Sequence, residues 1–379
     1  MDNMFQKVSK WENIALFSQK TPPFLIFFVT GRCNLRCKHC FYWNNTERGN
    51  TDDLDIKAVK RLSKEFDKLY NLLISGGEPF LREDLAEICI LFYKNSKVEK
   101  ISIPTNGSVS SVIYDSTNKI LNDCPDLQLT IELSIDGPSE IHDNLRGAKG
   151  SFNATLETYE LLCDLKYQFT NLRINVITTV TNENICYLHQ LQDFIKSKMP
   201  HVDNNFFGFL RGDCRNNGIF LPELSYLNKL EGIMTGYNKN LLGSFLNKLF
   251  FDVKMATLAR KKQIINCAAG DLMGVVDNNG DVRLCELLRP VGSLREGRFV
   301  EIWQSKAANR QKRSIRRKEY YCTHECFIAP SVLYEPANYP KMTRYVYSYL
   351  MRFLKRALCG TCRLNRGLAF RGVGEHVEL

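Results

Sequence analysis

Three cysteines, Cys33, Cys37 and Cys40, lie close together in the stretch TGRCNLRCKHCFYW. Their C-x3-C-x2-C spacing follows directly on the apolar run FLIFFV (24–29), which puts three thiols on one loop. Spacing this short lets three thiolates converge on a single small cube of iron and sulfur. Three ligands for four irons leave one iron without a protein ligand, and an open coordination position separates a reactive metal centre from a closed structural one. The simpler reading is a zinc knuckle completed by His39, although a ligand immediately before Cys40 on so tight a loop would be strained.

The elements that must position these thiols can be read from the periodicity. Apolar runs recur at 24–29, 71–75, 100–104, 127–135, 172–180 and 205–210. Between them lie stretches with helical spacing: DLDIKAVKRLSKEFDKL with Thr51 and Asp52 as candidate caps, REDLAEICILFY, SFNATLETYELLCDL and ENICYLHQLQDFIKS. Parallel neighbours need a crossover, and the crossover helices cover the sheet, so the alternation predicts an α/β fold with a parallel sheet. Six units fall short of a closed eight-fold barrel, and an open, partial (β/α)6 TIM-like barrel is expected. Ligands of such sheets collect at the carboxyl ends of the strands, which is where the three thiols lie.

Further motifs follow the strands in order. Ser75-Gly76-Gly77-Glu78-Pro79 ends the second, Pro104-Thr105-Asn106-Gly107 the third, Ser134-Ile135-Asp136-Gly137 the fourth, and Arg146 lies beyond it in HDNLRGAKGSF. Taken singly, the glycine pair reads as a turn before a helix and Arg146 as a surface ion pair. Together with the cysteine triplet, the segment from Pro23 to about Asp213 resembles the radical S-adenosylmethionine (radical SAM) enzymes. The resemblance implies a 4Fe–4S cluster on Cys33, Cys37 and Cys40 whose free iron is chelated by the amino and carboxylate groups of S-adenosylmethionine. One electron from the cluster then cleaves the sulfonium C–S bond to release a 5′-deoxyadenosyl radical. It also implies a cosubstrate site built from Ser75, Gly76, Gly77, Glu78 and Pro79 beside the methionine amino group. Asn106 would stand at the nucleoside, Ser134 and Asp136 at the ribose, and Arg146 at the carboxylate. Glycine permits close backbone approach, and Arg pairs bidentately with carboxylate. Phe41, Tyr42 and Trp43 either screen the cluster or pack in the ordinary way; Arg211-Gly212-Asp213 either lines the substrate end or makes a plain turn.

A second cysteine region begins at Cys267. Cys267, Gly280 and Cys285 stand in a C-x12-G-x4-C pattern with an NNGD turn, which makes a β-hairpin that returns both thiols to one end. Cys322 and Cys326 follow in C-x3-C spacing, and Cys359 and Cys362 form a last C-x2-C pair. The layout is similar to the auxiliary-cluster domains of the same superfamily, the SPASM type and its shorter twitch relative. The full SPASM pattern would require cysteines where Arg313 and Arg316 stand. One auxiliary 4Fe–4S cluster on Cys267, Cys285, Cys322 and Cys326 is therefore expected, with zinc at the same thiols as the alternative. The pair Cys359/Cys362 can ligate metal or act as a redox pair. Cys89, Cys124, Cys163 and Cys186 read as core or incidental, and Cys214 lies near the mouth of the barrel.

The 379 residues are 44% hydrophobic and 24% charged, a globular composition that excludes a disordered or multi-spanning chain. No charged segment precedes a long apolar run, so the cytoplasm is the expected compartment, where clustered members of the 14 cysteines hold metal rather than disulfides. The net charge of +10 favours anionic partners, and SKAANRQKRSIRRK (305–318) carries seven Lys/Arg and no acid. That run is a solvated helix face, or else it meets an acidic peptide, a nucleic acid or anionic lipid. A helix over 343–358 reads as packing on its own domain or lying at a membrane surface. The expected organisation is an N-terminal extension (1–22), a radical SAM core (23–215), a helical connector (216–262), an auxiliary iron–sulfur domain (263–330) and a basic tail (331–379). The function expected is a radical SAM oxidoreductase acting on a peptide, protein or small metabolite, with flavodoxin or ferredoxin as electron donor. RNA modification and a non-catalytic metal-binding scaffold are the alternatives.

Overall fold

Strand β1 (Phe24–Thr30) is buried along its whole length, because it is apolar at nearly every position and has neighbours on both sides. In the computed structural model, which describes residues 20–47, 52–235, 241–348 and 351, β1 pairs in parallel with β2 (Asn71–Gly76). The sheet continues through β3 (Lys100–Thr105), β4 (Gln128–Ser134), β5 (Leu172–Val180) and β6 (Asn204–Phe209), all parallel. On the other side β1 pairs in parallel with β7 (Met273–Val276), the first strand of a hairpin completed by β8 (Asp281–Arg283) and β9 (Gly292–Ser293). The order is β6-β5-β4-β3-β2-β1-β7-β8-β9, an open sheet of the expected partial-barrel kind. The cysteine-bearing hairpin therefore extends the same sheet.

Helices α1 (Trp43–Glu47), α2 (Ile56–Ser63), α3 (Leu85–Ser96) and α4 (Ser110–Asp123) follow the first three strands. Next come α5 (Ser139–Arg146), α6 (Ser151–Gln168) and α7 (Leu188–Lys198). The cap of α2 is Asp55, which accepts from Ala58 N at 2.6 Å, in place of the expected Asp52; Thr51 lies outside the described residues. The connector forms α8 (Leu224–Lys229), α9 (Glu231–Thr235) and α10 (Leu241–Arg260), and covers the β6 edge by packing Leu227, Phe251 and Met255 on Phe207 and Phe209. The C-terminal part holds α11 (Phe299–Trp303), the basic α12 (Lys306–Arg316) and α13 (Glu325–Tyr334).

Along β4, Leu129, Ile131 and Leu133 are fully buried, so alternation turns Thr130, Glu132 and Ser134 toward the concave side. Helix α13 lies on that side, with Tyr334 packed 5.2 Å from Phe24 and 5.8 Å from Tyr70. A further helix runs over 339–348, and Met342 and Tyr345 pack into the cluster formed with Leu249, Phe250 and Val253 of α10. The remainder of the expected C-terminal helix, and Cys359 and Cys362, lie outside the described residues. Cys89, Cys124 and Cys163 are buried, Cys186 is exposed and Cys214 is half-buried.

Asp53 ties the end of β1 to the hairpin. Its carboxylate accepts from Thr30 Oγ1 at 2.6 Å, Gly31 N at 3.0 Å and Asn278 Nδ2 at 2.8 Å. Asp53→Ala is expected to lower the unfolding free energy by about 2–3 kcal/mol, because it strands those donors; denaturant titration of both proteins measures the loss. Burial pushes the Glu132 carboxyl up to about 7 from the usual 4.5. The folded state thus holds an extra proton between those values, so Glu132's contribution to stability is present below about 4.5 and lost as pH rises through 7. Relative to wild type, Glu132→Gln should gain up to about 3 kcal/mol between pH 5 and pH 8, measured as the difference between the two unfolding curves at each pH.

Candidate active site

The loop leaving β1 carries Cys33, Cys37 and Cys40, all half-buried free thiols. It is docked on the end of α5: Lys38 N donates to Leu145 O at 2.8 Å. Gly147 has φ +66°, and a Cβ there would come 2.7 Å from Arg36 O. Burial raises the Cys33 thiol to about 12 and the Cys40 thiol to about 11, and each is raised further by the charge of Cys37. Cys37 is also raised, chiefly by burial, against the pull of Arg146, whose Nη1 lies 3.8 Å from its Sγ. Three desolvated thiols that repel one another once ionised call for a cationic core between them. The donor set fits an iron–sulfur cluster.

The glycine pair packs against this loop. Gly76 has φ +135°, and a Cβ on it would lie 2.4 Å from Thr30 O. A Cβ on Gly77 would lie 2.0 Å from Arg32 O and 3.0 Å from Cys33 Cβ. Backbone bonds Gly77 N to Thr30 O at 2.9 Å and Glu78 N to Arg32 O at 2.8 Å join the two segments. Ser75 is half-buried near the end of β2, level with Phe28 of β1, and Pro79 starts the turn that follows.

Several side chains expected to face the cosubstrate are engaged within the protein. Glu78, expected at the ammonium group, is buried and accepts from Thr105 Oγ1 at 2.8 Å, Asn106 N at 2.7 Å and Phe80 N at 3.2 Å. It clamps β2 to β3, and burial raises it to about 7 despite those donors. Asn106 donates to Asn34 Oδ1 at 3.0 Å and accepts from Ser108 N at 2.9 Å, fastening the cysteine loop to the end of β3. Asp136, expected at the ribose, is fully buried: Oδ2 meets Arg146 Nη2 at 2.7 Å and His39 Nε2 at 3.5 Å, and Oδ1 accepts from Thr179 N at 2.8 Å. Burial would raise this carboxyl, but Arg146 and the neighbouring histidines hold it below the usual range. Arg146 is itself buried and spends Nη2 on Asp136, which leaves its Nε unpartnered. Glu78 and Asp136 are thus each held by donors of the protein itself. A polar group packed between strands is satisfied from within the protein, because a buried carboxylate without donors is costly.

Ser134 ends β4, half-buried on the concave side. His39 is held neutral: burial lowers it to about 4 against the pull of Asp136. Its Nε2 is turned to Asp136, and no group of three or more His, Cys, Asp or Glu among the described residues is arranged around a single metal ion. Tyr42 stacks on Phe28 at 4.7 Å and donates to Asn278 Oδ1 at 2.8 Å, and Trp43 Nε1 donates to Asp213 O at 3.1 Å. These aromatics act as loop anchors. Asp53 and Asn278 carry no signal of this role in the sequence, since each acts through a partner remote in the chain.

In the second region β7 and β8 return Cys267 and Cys285 to one end of the hairpin, as the turn motif requires. With Cys322 they line a cavity of about 310 Å³, alongside Gln263, Leu288 and Ile315. Burial raises all three thiols, and the charge of Cys322 adds to the shift at both Cys267 and Cys285. Cys326, in the first turn of α13, does not line that cavity; besides burial, the groups acting on it are Glu286, Arg211, Glu132 and Glu325. Cys322 and Cys326 both lie within reach of the charges of Glu286 and Arg211, so the second pair of thiols flanks the same buried ion pair. Arg316, at one of the absent cysteine positions, pairs with Asp271 at 2.7 Å.

Comparison with known proteins agrees with this construction. Residues 27–195 match the radical SAM superfamily model and residues 267–327 match an iron–sulfur cluster-binding domain, SPASM. Together these spans take in more than half of the chain. An uncharacterized protein of Methanocaldococcus jannaschii, MJ0907, is 29% identical over 71% of this chain and 87% of its own length. A cysteine-type anaerobic sulfatase-maturating enzyme of Clostridium novyi is 26% identical over 76% of this chain and 80% of its own. Among solved structures, native anSMEcpe with bound AdoMet and the Cp18Cys peptide superposes with a TM-score of 0.55 at 17% identity, covering 86% of this chain and 99% of that one. The chain belongs to the radical SAM superfamily, as an enzyme with a SPASM iron–sulfur domain joined to its core.

Proposed function

We propose that this chain is a radical SAM oxidoreductase that abstracts hydrogen from a peptide or protein substrate. The observation that carries the reading is the gathering of Cys33, Cys37 and Cys40 on one half-buried loop, where Cys37 raises the other two thiols, against a glycine pair that leaves no room for a side chain. When bound there, a 4Fe–4S cluster supplies the electron that splits S-adenosylmethionine into methionine and a 5′-deoxyadenosyl radical.

The chain's own residues do the rest. Gly76 and Gly77, flanked by Ser75 and Pro79, form the backbone cradle on which the cosubstrate's methionine end is oriented. Glu78 and Asn106 hold that cradle rigid from behind. Asp136 fixes the Arg146 guanidinium beside Cys37, where it offsets thiolate charge and keeps its Nε–H as an unspent donor. The Ser134 hydroxyl is presented to the nucleoside. Cys267, Cys285, Cys322 and Cys326 would hold an auxiliary 4Fe–4S cluster, which would supply a one-electron acceptor near the substrate, with flavodoxin or ferredoxin as the electron donor in the cytoplasm. No helix among the described residues is long and apolar enough to cross a membrane.

A protein substrate is supported by the sulfatase-maturating relative. RNA is disfavoured by the basic segment itself: α12 buries Ala308 and Ile315 and pairs Arg316 with Asp271, the behaviour of an amphipathic surface helix.

Replacing any one of Cys33, Cys37 or Cys40 by Ala is expected to abolish 5′-deoxyadenosine formation with S-adenosylmethionine and dithionite, while iron bound at the hairpin remains. Turnover surviving in any of the three overturns the reading. Gly77→Ala is expected to cut the same rate about a hundredfold, as a displacement near 1 Å does in a preorganised site, with iron content as the control.

A further inference from the structure

Arg211 follows β6 at the mouth of the barrel and touches both cysteine regions. Its guanidinium lies 4.1 Å over the ring of Phe41, the residue after Cys40. Its Nε lies 2.7 Å from Oε1 of Glu286, the residue after Cys285. The same Oε1 is 2.7 Å from Nδ1 of His324, which stands between Cys322 and Cys326. Glu286 is almost wholly buried, with 3% of its side chain exposed, and its ion-pair contacts are Arg211 and His324.

The segment around Arg211 is laced to the cysteine loop. Asp213 O accepts from Trp43 Nε1, Asn216 N donates to Lys38 O at 3.0 Å, and Arg215 pairs with Glu47 at 3.1 Å. Gly212 has φ +62°, and a Cβ there would come 3.2 Å from Phe41 Cβ. This is a built strap, in which a cation is stacked on an aromatic ring of one thiol loop and paired with the carboxylate beside a thiol of the other.

We propose that Arg211 is a positioning residue that couples the two iron–sulfur sites. It supplies the countercharge for the buried Glu286 and so sets the reduction potential of the auxiliary cluster, and its stack on Phe41 holds the two thiol regions in register. The physical ground is that cluster potentials follow local charge and the partners that surround the ligands. A buried carboxylate stripped of its cation adds negative charge beside Cys285 and makes the auxiliary cluster harder to reduce. The inference rests on both sites holding clusters.

The test is a potentiometric titration, followed by electron paramagnetic resonance, of the anaerobically reconstituted full chain and of Arg211→Gln, Arg211→Lys and Glu286→Gln. Arg211→Gln is expected to lower the auxiliary midpoint and Glu286→Gln to raise it. Arg211→Lys, which keeps the charge, should stay near wild type, and the reactive cluster should move less than the auxiliary one in every variant. Unchanged midpoints, shifts of the same sign in Arg211→Gln and Glu286→Gln, or loss of auxiliary iron from both Arg211 variants overturns the coupling. A wild-type protein that binds no second cluster defeats the family reading of the hairpin itself, and so is distinguishable from failure of this inference.

Discussion

The structure depends on confining three thiols that do not readily ionise together. Cys33, Cys37 and Cys40 are desolvated at the end of a wholly buried strand, and the charge of Cys37 makes Cys33 and Cys40 harder still to deprotonate. Much of the surrounding architecture can be understood as restraint on that loop. Gly76 and Gly77 press on its backbone from β2, Asp53 grips its first residues, the end of α5 receives Lys38, and Asn106 catches Asn34. A loop tethered from four sides presents its thiols in one arrangement, which lowers the entropy lost when a cluster is assembled on it.

The same logic explains why acidic residues at the strand ends face inward. Glu78 and Asp136 sit where a ligand-facing carboxylate would be expected, but each lies between elements that need joining. Glu78 takes donors from β3 and from the turn after itself, and Asp136 takes Arg146, His39 and Thr179. Asp136 keeps Arg146 charged and fixed next to Cys37, and Glu78 keeps the glycine turn from moving. Ser134, on the open side of β4, is better placed for direct contact.

Joining β7 to β1 in one sheet has a mechanical consequence. The auxiliary hairpin has its own thiol-lined cavity, yet it shares backbone hydrogen bonds with the strand that carries the reactive loop. Tyr42 and Asp53 reach Asn278 in the hairpin turn, so the turn and the loop are pinned at a second point. Arg211, Glu286 and His324 add a third connection on the barrel side. Three contacts of different kinds leave little freedom for one thiol region to shift against the other.

The sequence by itself determined the parallel strands, their order of appearance and the location of chemistry at their carboxyl ends. Apolar periodicity and short cysteine spacing are local properties, and burial of a run such as FLIFFV leaves few alternatives. It also located the hairpin, because Asn-Gly between alternating strands is a local turn signal. Tertiary structure decided which polar side chains were left for a ligand. The pairings of Asp136 with His39 and Arg146, of Asp53 with Asn278 and of Arg211 with Glu286 join residues far apart in the chain, and no spacing rule encodes them. It likewise decided that β7 would lie against β1. That pairing joins segments far apart in the chain through backbone hydrogen bonds, which no short window of sequence contains.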